Sequence, residues 1–444
     1  GLPLTVIKYE LLTAPESVKL EIRPLAAHRG ADRLFPEKDG SDFESFFTEK
    51  SVTICGRGHQ SHFSFNQGEW YSKPLWFENL LYEHDDCEKP GTDSLWSPGF
   101  LSIDMNEGET VYVLLGAENV HYDHDSVATM ENKARLLFQE NLTGSPLVRK
   151  TPMVKELLHS ASHCLSQLDG KRPAIFSGYP SVRETARETF ISLPGLLLVT
   201  GKTDFAERVL KVWLERAIMN DHVMPSEVNP HTGSLVTRAC DAGLWFFYAL
   251  DKLCDQTGRT DLVRENWDHL TGILDRYSDG IPAIGIKLDK DGLLVLQSDD
   301  PGSNWMDGDI DGKPIVERKG KLVEVNALWY NSLRAMEQYS EILGRDRECK
   351  EYGSLAERSR KSFQDLFWCD KGYLFDWVDD KRREESVRCN QILAVSLPAS
   401  VMDPERGRSI VETCWNELYT TFGLRTLDPH HEKYKGRCEG RIDQ

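Results

Sequence analysis

The chain has 444 residues and a surplus of acid, with 71 Asp and Glu against 53 Lys and Arg and a formal net charge of −18. This charge argues against nucleic acid or an anionic membrane as a partner, because both repel an acidic surface. The same charge is compatible with a neutral ligand such as a glycan. The length leaves room for two or three domains, each with its own hydrophobic core.

The cysteines and the apolar runs indicate a cytoplasmic protein. Ten cysteines stand singly, without a C-x-x-C pair or a tight framework, which favours reduced thiols over disulfides or a structural zinc site. The longest apolar run, around Ile191–Val199, is far shorter than the ~18 residues that span a bilayer. The first residues do not resemble a signal peptide.

Residues 1–125 have the alternating pattern of β-strands. Val18, Leu20 and Ile22 are apolar, the residues between them are charged, and further short apolar segments follow between Gly, Pro, Asp and Asn turns. Regular short strands of this kind predict an antiparallel β-sandwich as the N-terminal domain. Segment 3–12 is strand-like and begins almost at the first residue of the sequence, so we expect further strands before Gly1.

Beyond a linker at residues 126–150, the apolar period changes from two to 3.6 residues. Apolar spacing and capping residues predict nine helical segments, at 152–168, 188–201, 203–219, 240–256, 260–278, 322–342, 347–367, 386–398 and 404–420. Helix pairs that recur through a whole domain indicate a helical toroid or solenoid, here spanning residues 151–444.

The stretch Asn304–Arg334 follows a long insert at residues 280–320, and such inserts often carry binding sites. It begins with Trp305-Met306-Asp307 on a loop and continues into a helix that carries Glu324 and Trp329. Carboxylates among aromatic rings suit a sugar pocket, because rings stack on the C–H faces of a pyranose and carboxylates supply acid, base and hydroxyl contacts. A core helix behind an acidic turn would produce the same pattern.

Two patterns raise the question of a metal. Asp307–Gly312 spells the first half of a calcium loop, but the twelfth position, which requires Glu, holds Arg318, and Glu317 comes one place too early. His121 and His124 have H-x-x-H spacing at the β-to-α junction, where a solvated linker accounts for them as well. We therefore predict neither a metal site nor a cofactor.

Four blocks of the sequence resemble the glycogen debranching enzyme family, and in particular the amylo-α-1,6-glucosidase domain of its microbial members. The blocks are Ser177–Lys202, Asn304–Arg334, Arg388–Pro398 and Phe422–Arg437, and the resemblance extends to the N-terminal region through Glu69–Phe100. It implies a β-sandwich followed by an (α/α)6 toroid, and hydrolysis of α-1,6-linked glucosyl stubs with inversion at the anomeric carbon. Nine helical segments fall short of the twelve in such a ring, so we expect further helices after Gln444, in addition to the strands expected before Gly1.

The resemblance assigns Asp307, from the family's Trp-Met-Asp motif, as the general acid. Trp305 beside it is expected to stack on sugar and to raise the pKa of Asp307 by desolvation. An inverting mechanism needs a second carboxyl group roughly 6.5–9.5 Å away as the general base. We expect this base beyond Gln444, because the family continues there.

The same resemblance assigns the substrate-binding residues Arg187, Glu188, Asp241, Trp305, Glu324, Trp329 and Arg388. Purely structural roles stay possible for four of them: Arg187 and Glu188 would suit the first turn of a buried helix, Asp241 would suit a helix N-cap, and Glu324 would suit a surface pair with Lys321. The chain also departs from the family pattern, with Glu188 in place of Asp and with Ser181, Val182, Thr185 and Ala186 at positions where the family tends to have Trp, Phe, Trp and Gly.

These observations predict an inverting glycoside hydrolase that acts on the α-1,6 branch stubs of glycogen-like or limit-dextrin glucans. One alternative is another inverting exo-α-glycosidase on the same toroid, specific for a different sugar. The other is a non-catalytic glycan-binding or regulatory protein, which the changes at residues 181–188 and the unmatched base suggest. In each case the expected partner is a glycan, and neither nucleic acid nor a membrane is expected.

Overall fold

The computed structural model describes residues 4–29, 34–35, 42–81, 92–117, 127, 129, 132, 151–168, 172–176, 183–229, 232–310 and 312–436. They belong to two compact units, residues 1–140 and 141–444. His121, His124, Ser181, Val182 and Asp311 lie outside the described residues.

The N-terminal unit consists of antiparallel strands. They are β1 (Leu4–Glu10), β2 (Val18–Ile22), β3 (Glu44–Thr48), β4 (Ser51–Gly56), β5 (His59–Phe65), β6 (Glu69–Leu81), β7 (Thr92–Met105) and β8 (Thr110–Gly116). One sheet has the order β1-β8-β5-β4-β3 and the other has the order β2-β7-β6.

The two sheets share one hydrophobic core. Val52 and Phe63 come from the first sheet and Leu101 and Ile103 come from the second, and all four belong to a single buried cluster. Inward-facing apolar residues on both sheets are what packs two sheets face to face. The predicted β-rich N-terminal region is therefore confirmed.

The C-terminal unit is mainly helical. Its helices are α1 (Pro152–His163), α2 (Ala186–Leu193), α3 (Thr203–Met219), α4 (Ala242–Thr257), α5 (Asp261–Glu265), α6 (Trp267–Asp279), α7 (Val323–Ile342), α8 (Asp346–Phe367), α9 (Leu393–Ser396) and α10 (Pro404–Thr413). The segments Pro194–Leu198 and Cys414–Leu418 are π-helical, and Pro301–Ser303 and Cys389–Ile392 are 3₁₀ turns.

Short strands connect these helices. They are β9 (Leu165–Leu168), β10 (Arg172–Ile175), β11 (Glu184–Thr185), β12 (Glu227–Val228), β13 (Leu235–Val236), β14 (Ile286–Leu288), β15 (Leu294–Leu296), β16 (Asp309–Ile310), β17 (Lys313–Pro314), β18 (Lys321–Leu322), β19 (Trp368–Cys369), β20 (Tyr373–Leu374), β21 (Trp377–Val378), β22 (Tyr419–Thr420) and β23 (Gly423–Leu424). None of the described helices combines the length and apolar character that a membrane span needs.

Three predicted helices differ from the structure. The segment 260–278 is divided into α5 and α6 because Asn266 leaves the helical conformation and starts α6. The segment 386–398 is reduced to a 3₁₀ turn and the short α9. The first segment ends at His163, where the chain turns into β9. The apolar periodicity could not show these breaks, because it reports which face is buried and not where the backbone leaves the helical conformation.

Neighbouring helices of the C-terminal unit differ in burial. Helix α4 packs between α2 and α7, and α8 packs along α7. Of the 20 residues in α7, 15 are buried, whereas only 4 of the 22 residues in α8 are buried. Those four, Ala356, Ser359, Phe363 and Phe367, lie on one helical stripe, as expected of an outer helix. Helix α7 is thus enclosed, whereas α8 keeps a solvated face.

Candidate active site

Four of the predicted site residues lie at the N-terminal ends of helices. Arg187 and Glu188 lie in the first turn of α2, Asp241 immediately precedes α4, and Glu324 lies in the first turn of α7. Arg388 precedes the 3₁₀ turn that leads into α9. Positions that are far apart in sequence therefore recur at the starts of helices.

Arg187 and Asp241 bind each other. The Arg187 Nε donates to Asp241 Oδ2 and Nη2 donates to Oδ1, both at 2.8 Å. Trp245 Nε1 also donates to Asp241 Oδ2, at 3.2 Å. Although burial alone would lower it, the adjacent Asp241 carboxylate raises the pKa of Arg187. The Asp241 side chain makes no capping hydrogen bond, so its role is this ion pair rather than that of an N-cap.

Glu188 remains available beside this pair. It is partly buried, and among the described residues its carboxylate has no hydrogen-bond partner. The Arg187 Nη1 likewise makes no hydrogen bond within the described part of the chain. One guanidinium nitrogen and one carboxylate are thus left to bind a polar ligand.

A second cluster centres on Arg318, which the sequence did not identify as a site residue. Its side chain is wholly buried. Nη1 and Nη2 donate to the two carboxylate oxygens of Glu324 at 2.6 and 2.7 Å, and Nε and Nη2 donate to Asp376 at 2.8 and 3.1 Å. Arg388 Nε lies 3.7 Å from Asp376 Oδ2. Two guanidinium groups therefore balance two buried carboxylates, which offsets the cost of burying these charges.

These contacts correct the interpretation of Glu324. Its partner is Arg318, neither Lys321 nor Arg187. Lys321 instead binds Asp289 and Asp291, at 2.9 and 2.5 Å. Burial raises the pKa of the Glu324 carboxyl, and the Arg318 guanidinium opposes that effect.

Trp305 is tied to the Arg318 cluster through Asn390. Trp305 Nε1 donates to Asn390 Oδ1 at 3.0 Å, and Asn390 Nδ2 donates to Asp376 Oδ1 at 2.7 Å. Asn304 Oδ1 accepts from the backbone N–H of Met306 at 3.0 Å. The loop that precedes Asp307 is consequently held by the Asn390 side chain and by a hydrogen bond within the loop itself.

Asp307 itself is exposed and has no hydrogen-bond partner among the described residues. A hydrogen bond to Asp300 raises the pKa of Arg238, and the charge of Asp307 adds a smaller contribution in the same direction. Because Asp307 is exposed, its carboxylate is not in the desolvated environment that the sequence predicted.

The acidic turn after Asp307 forms a tight hairpin of β16 and β17. Asp309 Oδ1 accepts from the backbone N–H of Gly312 at 2.8 Å, and Gly312 has a φ of +77°, a conformation that favours glycine. Asp309 is thus a turn former. Arg318, at the last position of the apparent calcium loop, is buried against two carboxylates and cannot serve as a ligand.

The structure also corrects the prediction for Trp329. This side chain is completely buried, and its Nε1 donates to the carbonyl oxygen of Gly292 at 3.1 Å. Tyr277 packs against the ring, with 6.1 Å between centroids. Trp329 belongs to the core and has no free face for a sugar.

Cys240 connects the two charged clusters. Its backbone N–H donates to the carbonyl oxygen of Ser303 at 2.9 Å, and its carbonyl accepts from Tyr277 Oη at 2.9 Å. Burial raises the pKa of the Cys240 thiol, and the charges of Asp241 and Glu324 raise it further. Asp241 and Glu324, one from each cluster, therefore both lie close enough to the Cys240 thiol to raise its pKa.

A cavity of about 280 Å³ adjoins this site. It is lined by polar residues that include Asn304, Arg318, Asp300, Lys313 and Glu317. Farther along the chain, Glu417, Asp428 and His430 hold ligand atoms within 4.8 Å of one another, and within the described residues they are the only group spaced to bind a metal ion. They do not belong to the clusters described above.

Arg318 and Asp376, which the sequence did not identify as site residues, could be recognised from it only weakly. Asp376 is a carboxylate inside the apolar run Leu374–Val378, and a charge in such a run is buried only if it is paired. Arg318 stood out only as the residue that breaks the calcium pattern. Neither signal identified the partner, which is 58 positions away.

Both units match families of known proteins. Residues 155–444 match the family described as amylo-alpha-1,6-glucosidase, and residues 1–112 match the glycogen debranching enzyme N-terminal region. Among solved structures, a GH78 family rhamnosidase of Bacillus sp. GL1 is similar, with 14% sequence identity and a TM-score of 0.47 over 87% of this chain. The chain spans 39% of the length of that rhamnosidase. No curated protein matches the chain.

Proposed function

The chain belongs to the glycogen debranching enzyme family of glycoside hydrolases, and from this we propose that it hydrolyses the α-1,6-linked glucosyl stubs of glycogen-like or limit-dextrin glucans. The observation that supports this substrate most directly is the Arg187–Asp241 pair with Glu188 beside it. A guanidinium flanked by carboxylates presents donors and acceptors side by side, which suits the vicinal hydroxyls of a terminal glucose.

Two further residues contribute to this proposed glucose subsite. The Arg388 Nε–H is buried and makes no hydrogen bond within the described part of the chain. A buried donor without a partner costs about 1–3 kcal/mol, and a shift of the Arg388 side chain toward a sugar oxygen on substrate binding would remove that cost. Trp305 is partly exposed, so its ring can stack on a pyranose while its N–H stays bound to Asn390.

Asp307 is the proposed general acid. It donates its proton to the glycosidic oxygen as the bond from that oxygen to the anomeric carbon breaks, and a second carboxylate removes a proton from the attacking water. We propose that the acid is shielded only when substrate is bound, since Asp307 is exposed in the free protein. A glucan over the Trp305–Asp307 loop would displace the surrounding water.

The fold proposed for the catalytic region is an (α/α)6 toroid. The contrast between the enclosed α7 and the solvated face of α8 supports it, with α2, α4 and α7 as the proposed members of the inner layer. We retain the predicted boundaries, with a β-sandwich at residues 1–125, a linker at 126–150 and the toroid from 151, and a cytoplasmic location as part of the proposal.

Glucose release from a branched limit dextrin by a full-length version of the protein tests this function. Asp307→Asn should lower the rate by ~10² or more while dextrin binding persists. Asp309→Asn is the matched control, because it makes the same chemical change two residues away and keeps the oxygen that accepts from Gly312.

The other outcomes are equally informative. Undiminished turnover in Asp307→Asn would remove it as the acid. Dextrin binding without turnover in the unaltered protein would favour the non-catalytic alternative, and release of a different sugar from other α-linked glycans would favour another exo-glycosidase.

A further inference from the structure

We infer that Arg318 is a positioning residue, which fixes the loop Asn304–Asp307 and thereby places the proposed acid. The inference rests on the proposed function, in which Asp307 is that acid. It assigns Arg318 and Asn390 a role in the reaction although neither is proposed to touch the substrate.

Arg318 is suited to this role by its geometry. The guanidinium is planar, and it binds Glu324 of α7 on one edge and Asp376, which precedes β21, on another. These bonds to the two carboxylates are 3.1 Å or shorter. A lysine has one nitrogen in place of this fork and cannot bind both carboxylates in the same geometry. Arg318 therefore joins two separate segments at a fixed distance.

Two routes lead from this cluster to the loop. In the first, Asp376 accepts from Asn390 Nδ2, and Asn390 Oδ1 accepts from the Trp305 indole. In the second, Arg318 Nη1 lies 3.5 Å from Asn304 Oδ1, which also accepts from the Met306 backbone N–H. Both routes end on residues immediately before Asp307.

Asp307 depends on these restraints because its own side chain supplies none. Among the described residues its carboxylate has no hydrogen-bond partner, so its direction is set by the backbone of the loop. A displacement of about 1 Å in a reacting group can cost on the order of 10²-fold in rate. Loosening the loop should thus affect the rate more than substrate binding.

A purely structural role is the competing hypothesis. Buried ion pairs are weak evidence for stability, and removing one partner destabilises many proteins without any specific effect on a site. The chain offers a matched control in Arg216 of α3, a buried residue that makes two bonds with Glu184, at 2.8 and 2.9 Å. Its described contacts lie away from the Asn304–Asp307 loop.

The test compares Arg318→Lys with Arg216→Lys at a temperature at which both stay folded. We expect Arg318→Lys to lower kcat for glucose release about tenfold or more, to change dextrin affinity less than about threefold, and to accelerate amide hydrogen exchange at residues 304–308. Arg216→Lys should lower the Tm without lowering kcat and without accelerating hydrogen exchange at residues 304–308.

If Arg318→Lys lowers the Tm but leaves kcat and loop exchange like those of Arg216→Lys, the inference is wrong. Asn390→Ala provides a second variant should Arg318→Lys not fold, since it interrupts the route to Trp305 and leaves both Arg318 ion pairs in place. Hydrogen exchange separates this inference from the proposed function. A protein that releases no glucose would refute the proposed function. A loop that stays protected from exchange in both Arg318→Lys and Asn390→Ala would refute the positioning role.

Discussion

Arg187 and Asp241 form a two-bond ion pair between helices whose starts are far apart in sequence, since the two residues are 54 positions apart. The pair ties the first turn of α2 to the start of α4, and both bonds measure 2.8 Å. The two residues were predicted separately as substrate contacts, and the structure shows that they bind each other. The guanidinium nitrogen and the carboxylate that remain for a ligand are Arg187 Nη1 and Glu188.

Asp241→Asn is expected to lower the free energy of unfolding by about 3 kcal/mol, because Arg187 then keeps a largely buried charge without its counter-charge. Urea unfolding followed by circular dichroism measures this. Dextrin affinity should fall about tenfold as well, which corresponds to about 1.4 kcal/mol.

Glu188→Gln is the matched variant for that prediction. Glu188 lies next to Arg187 in the first turn of α2. The substitution removes one charge beside Arg187 but breaks no hydrogen bond to a described residue, so the free energy of unfolding should change by less than about 0.5 kcal/mol. Dextrin affinity should still fall if Glu188 contacts the sugar. An unchanged affinity would show that it does not.

Glu324→Gln is expected to cost about 3 kcal/mol of stability, since it removes one of the two carboxylates that balance the buried Arg318. Lys321→Gln should cost about 1 kcal/mol or less, because its partners Asp289 and Asp291 retain contact with water. Chemical unfolding of both variants checks the assignment. Equal losses would contradict the pairing of Glu324 with Arg318.

Trp329→Phe is expected to destabilise the protein by about 1–3 kcal/mol, because the smaller ring leaves space in the core. The carbonyl oxygen of Gly292 loses the indole N–H but keeps the hydrogen bond from Ser359 Oγ at 2.6 Å. The KM for limit dextrin should not change, since the ring has no exposed surface. Trp305→Phe offers the contrast: it should alter dextrin kinetics with a smaller loss of stability. A raised KM in Trp329→Phe would return this residue to the substrate site.

Acidification is expected to destabilise the N-terminal unit through His28. Burial lowers the pKa of this imidazole, whose Nδ1 lies 3.1 Å from Gly56 O and whose Nε2 lies 2.8 Å from Ser61 Oγ. Between the unfolded-state pKa of about 6.5 and the lower folded-state pKa, the unfolded chain binds more protons. Stability therefore falls as the pH falls through this window.

Urea unfolding at about pH 7 and about pH 5.5 measures the effect of His28, with the N-terminal unit monitored by hydrogen exchange. His28→Gln should weaken the pH dependence, whereas His163→Gln, at an exposed position in α1, should leave it unchanged. A pH dependence that survives in His28→Gln would assign the effect to another group, such as His62, whose pKa burial also lowers.

Much of the fold followed from periodicity. The segment 203–219 is a helix with the predicted bounds, because a long amphipathic pattern reports burial directly. The breaks at Asn266 and Cys389 were not predictable, because the apolar spacing continues through them. The Asn266 side chain binds the nearby Leu262 carbonyl oxygen, at 2.9 Å, and the turn at Cys389–Ile392 also binds a distant segment. This second contact is the bond from the Leu374 N–H to Gln391 Oε1, at 3.1 Å.

The sequence by itself determined the β-rich and helical regions, the family, and which residue types gather near the Trp-Met-Asp loop. Those features depend on the spacing of residues along the chain and on short motifs, and both can be recognised from the order of the residues alone. Only the tertiary structure decided the partners: Arg187 with Asp241, Glu324 with Arg318, and Trp305 with Asn390. A buried charge must find a counter-charge wherever the packed helices bring one, and sequence distance has no bearing on that choice.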